Sequence, residues 1–200
     1  QNTLIGGLAG DALTTGSYNV ALGYNALSAE DANGRNVAIG YNSLTSQNAG
    51  ADAYNVAVGF KAGENVSTGA QNTILGGLAG DALTTGNYNV AIGYQALSTE
   101  DAHGANVAIG ANALLTLDAG ADGFNIAIGH DAGKLMTTGI NNTVIGGLAG
   151  DAINTGSQNV AVGKASLSSA TTASDNVGLG HGALSALTTS ARNVAIGTQA

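Results

Sequence analysis

The sequence predicts an all-β solenoid in which short parallel strands stack coil upon coil. Three observations support this prediction. One asparagine returns every 17 or 19 residues, a three-residue β pattern follows it, and a glycine closes that pattern. A chain that repeats one short pattern many times is typical of a solenoid, because each coil buries its apolar residues against its neighbours.

The repeated asparagine marks the start of each coil and is called position 0 below. It predicts about twelve coils of 17–19 residues, which begin at Asn2, Asn19, Asn36, Asn55, Asn72, Asn89, Asn106, Asn125, Asn142, Asn159, Asn176 and Asn193. Four coils make a longer repeat of 70 residues, so near-identical stretches begin at residues 1, 71 and 141. We interpret residues 1–200 as a single continuous solenoid segment, and we expect it to be a fragment of a longer fibrous protein.

Positions +1 to +3 of each coil are predicted to form the strand. Position +1 is Val, Ile or Thr, position +2 is usually Ala, and position +3 is aliphatic, so a branched face alternates with an alanine face. Glycine at position +4 ends the strand because it tolerates turn conformations. We expect the alanine face to let other chains approach closely, with larger residues at intervals along it: Leu4, Ile74 and Val144.

A second set of apolar positions predicts how each coil fills its core. Position +8 is Leu in some coils and Gly in others. Where it is Gly, an apolar residue follows at position +11: Leu13, Val66, Leu83, Met136 and Ile153. This exchange predicts one apolar plug per coil and a second short strand or extended segment. The asparagines are predicted to stack and to hydrogen-bond along the rod.

The composition excludes several classes of function. The net charge is −8 and the five Lys and Arg residues are scattered, which excludes the basic surface that nucleic acids require. There is no Cys, and no apolar run is long enough for this segment to insert directly into a membrane. The GGLAG stretches lack the strand, loop and long helix of a nucleotide site. We expect neither an enzyme nor a bound cofactor.

Histidines and acidic residues give no clear site in the sequence. His103, His130 and His181 fall in different coils, away from any evident second ligand, so no metal site is predicted. The acidic residues concentrate in the outer segments and predict an exposed rim, although calcium binding is an alternative. The members of this rim are Glu30, Asp31, Asp52, Glu100, Asp101, Asp118 and Asp122.

The pattern Asn-Val-Ala-Ile-Gly with Ala shortly after the Gly resembles the head repeats of YadA-like trimeric autotransporter adhesins, and related repeats occur in phage tail fibres. The resemblance covers all twelve coils, from NTLIG at residue 2 to NVAIG at residue 193. It implies a left-handed parallel β-roll, three chains around one axis, and an extracellular fibre on a bacterial surface or a virion. It also implies an adhesive role, with a host-surface, matrix or glycan ligand. The coils here are longer than those of typical family members.

All eight aromatic residues fall in two columns, which flank the predicted strand at positions −1 and +5. They are candidate surface-contact residues for a glycan or a host surface, although the interpretation we favour is that the rings cover the corners of the roll and seal the seams between chains. The columns contain Tyr18, Tyr54, Tyr88 and Phe124 on one side, and Tyr24, Tyr41, Phe60 and Tyr94 on the other.

An ice-binding solenoid is a further alternative, which would need regularly spaced Thr on successive coils. Thr pairs occur at Thr14–Thr15, Thr84–Thr85 and Thr137–Thr138, about once per 70-residue repeat, and this sparse spacing argues against ice binding.

Overall fold

Every coil forms one three-residue strand, in which a β-branched residue and an aliphatic residue flank a middle residue that is Ala or Gly in nine of the twelve coils. The computed structural model describes residues 1–200 as a parallel β-solenoid with no helix, as predicted. The twelve strands are β1 (Thr3–Ile5), β2 (Val20–Leu22), β3 (Val37–Ile39), β4 (Val56–Val58), β5 (Thr73–Leu75), β6 (Val90–Ile92), β7 (Val107–Ile109), β8 (Ile126–Ile128), β9 (Thr143–Ile145), β10 (Val160–Val162), β11 (Val177–Leu179) and β12 (Val194–Ile196).

The strands form one sheet in sequence order, and every neighbouring pair is parallel. The register is constant: Val37 pairs with Val56 across a 19-residue coil just as Val20 pairs with Val37 across a 17-residue coil. The two additional residues of the longer coils therefore lie outside the sheet, in exposed turns that contain Gly50 and Gly120. With strands about 4.8 Å apart, twelve coils make a rod about 53 Å long.

The alanine face points into the rod, which corrects the prediction that it contacts other chains. Position +2 is buried in ten consecutive coils, from Ala21 to Gly178. The larger residues on this face fill the interior: Ile74 and Val144 have no exposed surface, and only Leu4 in the first coil is exposed. Period-2 alternation defines two faces but not which is inside. The narrow coil selects the smaller residue, because +2 packs against residues from the opposite turn.

The predicted apolar plugs are confirmed, except that Leu13 in the first coil is only half-buried. Val66, Leu83, Met136 and Ile153 are fully buried. A Cβ added to Gly80 would lie 2.9 Å from Leu83 Cδ1, and one added to Gly63 would lie 2.9 Å from Ile74 Cδ1. The plug and the larger residue at position +2 therefore occupy the space that glycine at position +8 leaves free.

No second strand forms, and alternating backbone conformations take its place. Positions +6 and +8 have left-handed φ angles, for example 59° at Asn25 and 53° at Leu27. The N–H of Asn25 donates to Gly7 O in the coil before, at 2.9 Å, whereas the N–H of Leu27 donates to Ser43 O in the coil after, at 3.0 Å. The turn thus makes hydrogen bonds in both directions along the rod, which offset the cost of about 1–2 kcal/mol for each left-handed residue.

The predicted asparagine ladder is present and runs the length of the rod. In all eleven steps, the backbone N–H at position 0 donates to the Oδ1 of the asparagine one coil earlier. The side-chain amide commonly donates to a carbonyl at position +14 of its own coil, as Asn72 Nδ2 does to Gly86 O at 2.9 Å. Asn19 through Asn176 are buried. Each asparagine therefore links two coils and also holds the turn of its own coil in place by a hydrogen bond.

Candidate functional surfaces

The most extensive apolar surface is the outer face of the sheet, formed by positions +1 and +3. These side chains point away from the alanine-lined interior. In strands that lie away from the ends of the rod, such as β3, β6 and β8, they are half-buried or exposed. The face is aliphatic from end to end except for Thr3, Thr73 and Thr143, and it contains no charged residue. Monomeric proteins rarely expose a continuous apolar face of this length.

The eight predicted surface-contact residues do lie on the surface, along the two edges of this outer face. Each ring is between 46% and 65% exposed. Position −1 has a left-handed φ, for example 64° at Tyr18, and position +5 follows the glycine that ends the strand, so the rings lie where the chain turns on either side of each strand.

The rings at position +5 form a stack in the second to fourth coils. Tyr24 and Tyr41 have ring centroids 5.6 Å apart, and Tyr41 and Phe60 have centroids 5.5 Å apart, with interplanar angles of 14° and 12°. Tyr94, in contrast, lies near Gly77 and has no ring partner. Because both faces of Tyr41 are occupied by neighbouring rings, the middle of this stack has no free face for a sugar.

The opposite edge carries a cation between two rings, a contact that was not predicted from the sequence. The Arg35 guanidinium lies 5.3 Å from the Tyr18 centroid and 5.6 Å from the Tyr54 centroid, and it pairs with Asp52. The sequence does contain evidence for this contact, because Tyr18, Arg35 and Tyr54 all occupy position −1 of consecutive coils. Tyr88 and Phe124 lie further along the same column.

The prediction of an exposed acidic rim is wrong for two of its members. Glu30 and Glu100 are completely buried, because position +11 points inward in every coil and not only where position +8 is Gly. Burial raises the pKa of both carboxyl groups above the ordinary value. The Glu30 Oε1 accepts a hydrogen bond from Asn33 N, and Glu100 Oε1 accepts the equivalent bond from His103 N, both at 3.2 Å.

The rest of the acidic rim is half-buried or exposed, as expected. The structure nevertheless brings one histidine into an acidic cluster. This contradicts the prediction that no histidine lies near other residues that could bind a metal. His103 lies beside Glu100, Asp101 and Asp118, and ligand atoms of these four residues lie within 4.8 Å of one another. Asp118 belongs to the following coil, so linear spacing alone did not show this group.

Threonine is spaced more regularly in the last third of the rod than the Thr pairs considered above indicate. Position +13 carries an exposed Thr in four consecutive coils: Thr138, Thr155, Thr172 and Thr189. The stacked coils therefore align four threonines along the rod. The earlier coils interrupt the column with alanine at residues 32, 49, 102 and 119.

Comparisons of the chain with protein-family models, with curated proteins and with solved structures find no match. The structure contains no helix that could cross a lipid bilayer.

Proposed function

We propose that this segment is a structural and adhesive part of an extracellular fibre, in which three identical chains associate through their outer sheet faces. The observation that carries this proposal is the uncharged aliphatic face that runs along the whole rod. Three left-handed rolls with a common axis would enclose these faces. The fibre would project a binding function for a host-surface, matrix or glycan ligand from a bacterial cell or, alternatively, form the shaft of a phage tail fibre.

The size of the outer face supports association. Seven residues from position −1 to position +5 span about 20 Å, and the rod is about 53 Å long, which gives a face of about 1,000 Å². The centre of this area is the aliphatic face and its edges are aromatic and polar, whereas a stable interface buries about 800 Å² per partner. The face is therefore large enough for a stable interface.

The composition of the face supports identical copies as the partners. Parallel copies in register place Val, Ile and Leu against the same residue types at every level, with no charge to oppose its copy in the centre. The aromatic columns lie at both edges, where they would seal the seams between chains. The occupied ring faces of Tyr41 favour this role over stacking on sugars.

A charged residue in the centre of the face tests the proposal. We expect Ile92→Glu to yield a folded monomer, because three carboxylates would be brought together in an apolar core. The matched control is Thr68→Glu, on an exposed turn away from the face, which should keep the mass of the unmodified assembly. Sedimentation velocity gives the mass and far-UV circular dichroism gives the fold. An Ile92→Glu chain that assembles as the control does would overturn the proposal.

Ice binding is a second candidate, favoured by the four aligned threonines at position +13. Replacing Thr155 and Thr172 with Lys should abolish thermal hysteresis if these hydroxyls contact ice. A chain without thermal hysteresis would remove this candidate while leaving the fibre proposal intact.

A further inference from the structure

The cluster of His103 with three carboxylates joins two consecutive coils on the side of the rod away from the outer face. Glu100, Asp101 and His103 belong to the turn of the sixth coil, and Asp118 belongs to the turn of the seventh. We propose that these four side chains bind one divalent transition-metal ion of the zinc class. The site would fasten the two turns to each other.

The first independent support is an unsatisfied nitrogen. His103 Nδ1 is buried and has no hydrogen-bond partner, although Glu100 Oε1 lies only 3.3 Å away. Two ligands bound at about 2.0–2.1 Å to a tetrahedral ion are themselves about 3.3 Å apart. The pair therefore has the separation of two atoms that share an ion, without the geometry of a hydrogen bond.

The second support is the buried carboxylate of Glu100. Its side chain has 0% exposure, and it accepts only two hydrogen bonds, from His103 N at 3.2 Å and from Ala119 N at 3.3 Å. No Lys or Arg pairs with it, and the adjacent group that can carry a positive charge is the His103 imidazole. Because a buried charge is costly without a counter-charge, a bound cation would satisfy the carboxylate and the imidazole nitrogen together.

The 70-residue repeat offers an internal comparison. The residues at the equivalent places one repeat earlier are Glu30, Asp31, Asn33 and Asn48, in a turn of the same design. Two of the four proposed ligands, His103 and Asp118, are thus replaced by asparagines in the first repeat. There, Asn36 Nδ2 donates a hydrogen bond to Glu30 Oε2 at 3.4 Å. The earlier turn folds without the histidine and the second aspartate, which shows that neither is needed to form the turn.

The donor set selects the class of metal. One imidazole nitrogen with carboxylate oxygens suits zinc or a similar first-row ion, whereas calcium prefers oxygen ligands alone. The ligand atoms are spread over up to 4.8 Å, so closure around an ion needs small movements. Asp101 and Asp118 are exposed and free to make them, whereas Glu100 is held by the core.

Zinc binding to the assembled chain tests the proposal by isothermal titration calorimetry with zinc chloride. We expect one zinc ion per chain. His103→Asn and Asp118→Asn should each weaken binding about tenfold or more, since losing a direct ligand costs at least as much as losing an outer one. Both variants reproduce residues of the first repeat and are therefore expected to fold. The double substitution Asn33→His and Asn48→Asp places the same four residue types in the first repeat, so it should raise the stoichiometry to two ions per chain.

Two results would overturn the proposal. One is the absence of zinc binding to the unmodified chain. The other is unchanged binding by His103→Asn, which would assign the signal to surface histidines such as His130. The test is separate from that of the fibre, because the outer face is intact in all these variants and their sedimenting mass is measured independently.

Discussion

The backbone N–H of Asn72 donates to the side-chain Oδ1 of Asn55 at 2.8 Å, and the same contact recurs between every pair of adjoining coils. It joins residues 17 or 19 positions apart and makes each coil a template for the next. The ladder and the plugged interior hold one chain in its coils, while the outer face remains available for partners.

Removing one asparagine of the ladder should destabilise the rod. Asn72→Ala leaves Gly86 O and Asn89 N–H buried without partners, because both bond to the Asn72 amide at 2.9 Å. Each unsatisfied group costs about 1–3 kcal/mol, so the total loss is on the order of 3 kcal/mol in guanidinium denaturation. Asn48→Ala, at an exposed turn, is the control and should change stability by less than about 0.5 kcal/mol. Equal effects of the two substitutions would contradict the role of the ladder.

The glycine at position +4 should not tolerate a methyl group. Gly93 has a φ of +131°, and a Cβ there would lie 2.6 Å from Gly110 O. Gly93→Ala therefore combines backbone strain of about 1–3 kcal/mol with a clash between coils. Gly50→Ala is the matched control, since its φ is +70° but nothing lies within 4 Å of the added carbon. Thermal denaturation should show a clearly lower Tm for Gly93→Ala than for Gly50→Ala, and the reverse order would refute the argument.

The interior should be sensitive to the larger residue at position +2. Ile74→Ala opens a cavity beside Gly63 and Gly80, and we expect a loss of about 2–5 kcal/mol in the free energy of unfolding. Leu135 is exposed, so Leu135→Ala should cost less than about 0.5 kcal/mol. If Ile74→Ala proved as mild as Leu135→Ala, residue 74 would not be packed in the core.

Neutralising the buried Glu30 should stabilise the rod at neutral pH but not in acid. Burial and the neighbouring Asp31 raise the pKa of Glu30 above 4.5, while hydrogen bonds from the backbone N–H groups of Asn33 and Asp31 partly oppose them. The folded chain therefore holds this proton more tightly than the unfolded chain does. The destabilisation is fully present above the raised pKa and fades as the pH falls through it.

Glu30→Gln measures this effect, and the buried Gln47 shows that the shape of a glutamine fits position +11 of the next coil, although its Nε2 has no hydrogen-bond partner there. We expect Tm to rise by about 2–4 °C near pH 8, which corresponds to about 1 kcal/mol for a chain of this size. The difference from the unmodified chain should shrink towards about pH 4.5. Asp11→Asn, at an exposed position away from the outer face, serves as control. A difference that is the same at both pH values would contradict the buried-charge explanation.

The repeat alone predicted the strands, the asparagine ladder and the plugs, because each of these depends on contacts between equivalent positions of stacked coils. The direction of the alanine face was not predictable from alternation, since Ala21 and Val20 fit either side of an isolated strand. The cluster around His103 was missed because Asp118 comes from the next coil and Glu100 was assigned to the rim. Aligning the coils by their asparagines places these residues together.

The mass of the unmodified chain in solution tests the central claim, that the outer face joins three copies. Sedimentation equilibrium of residues 1–200 should give three times the chain mass of 19.3 kDa. A stable species of 19.3 kDa, folded by circular dichroism at micromolar concentration, would contradict the account.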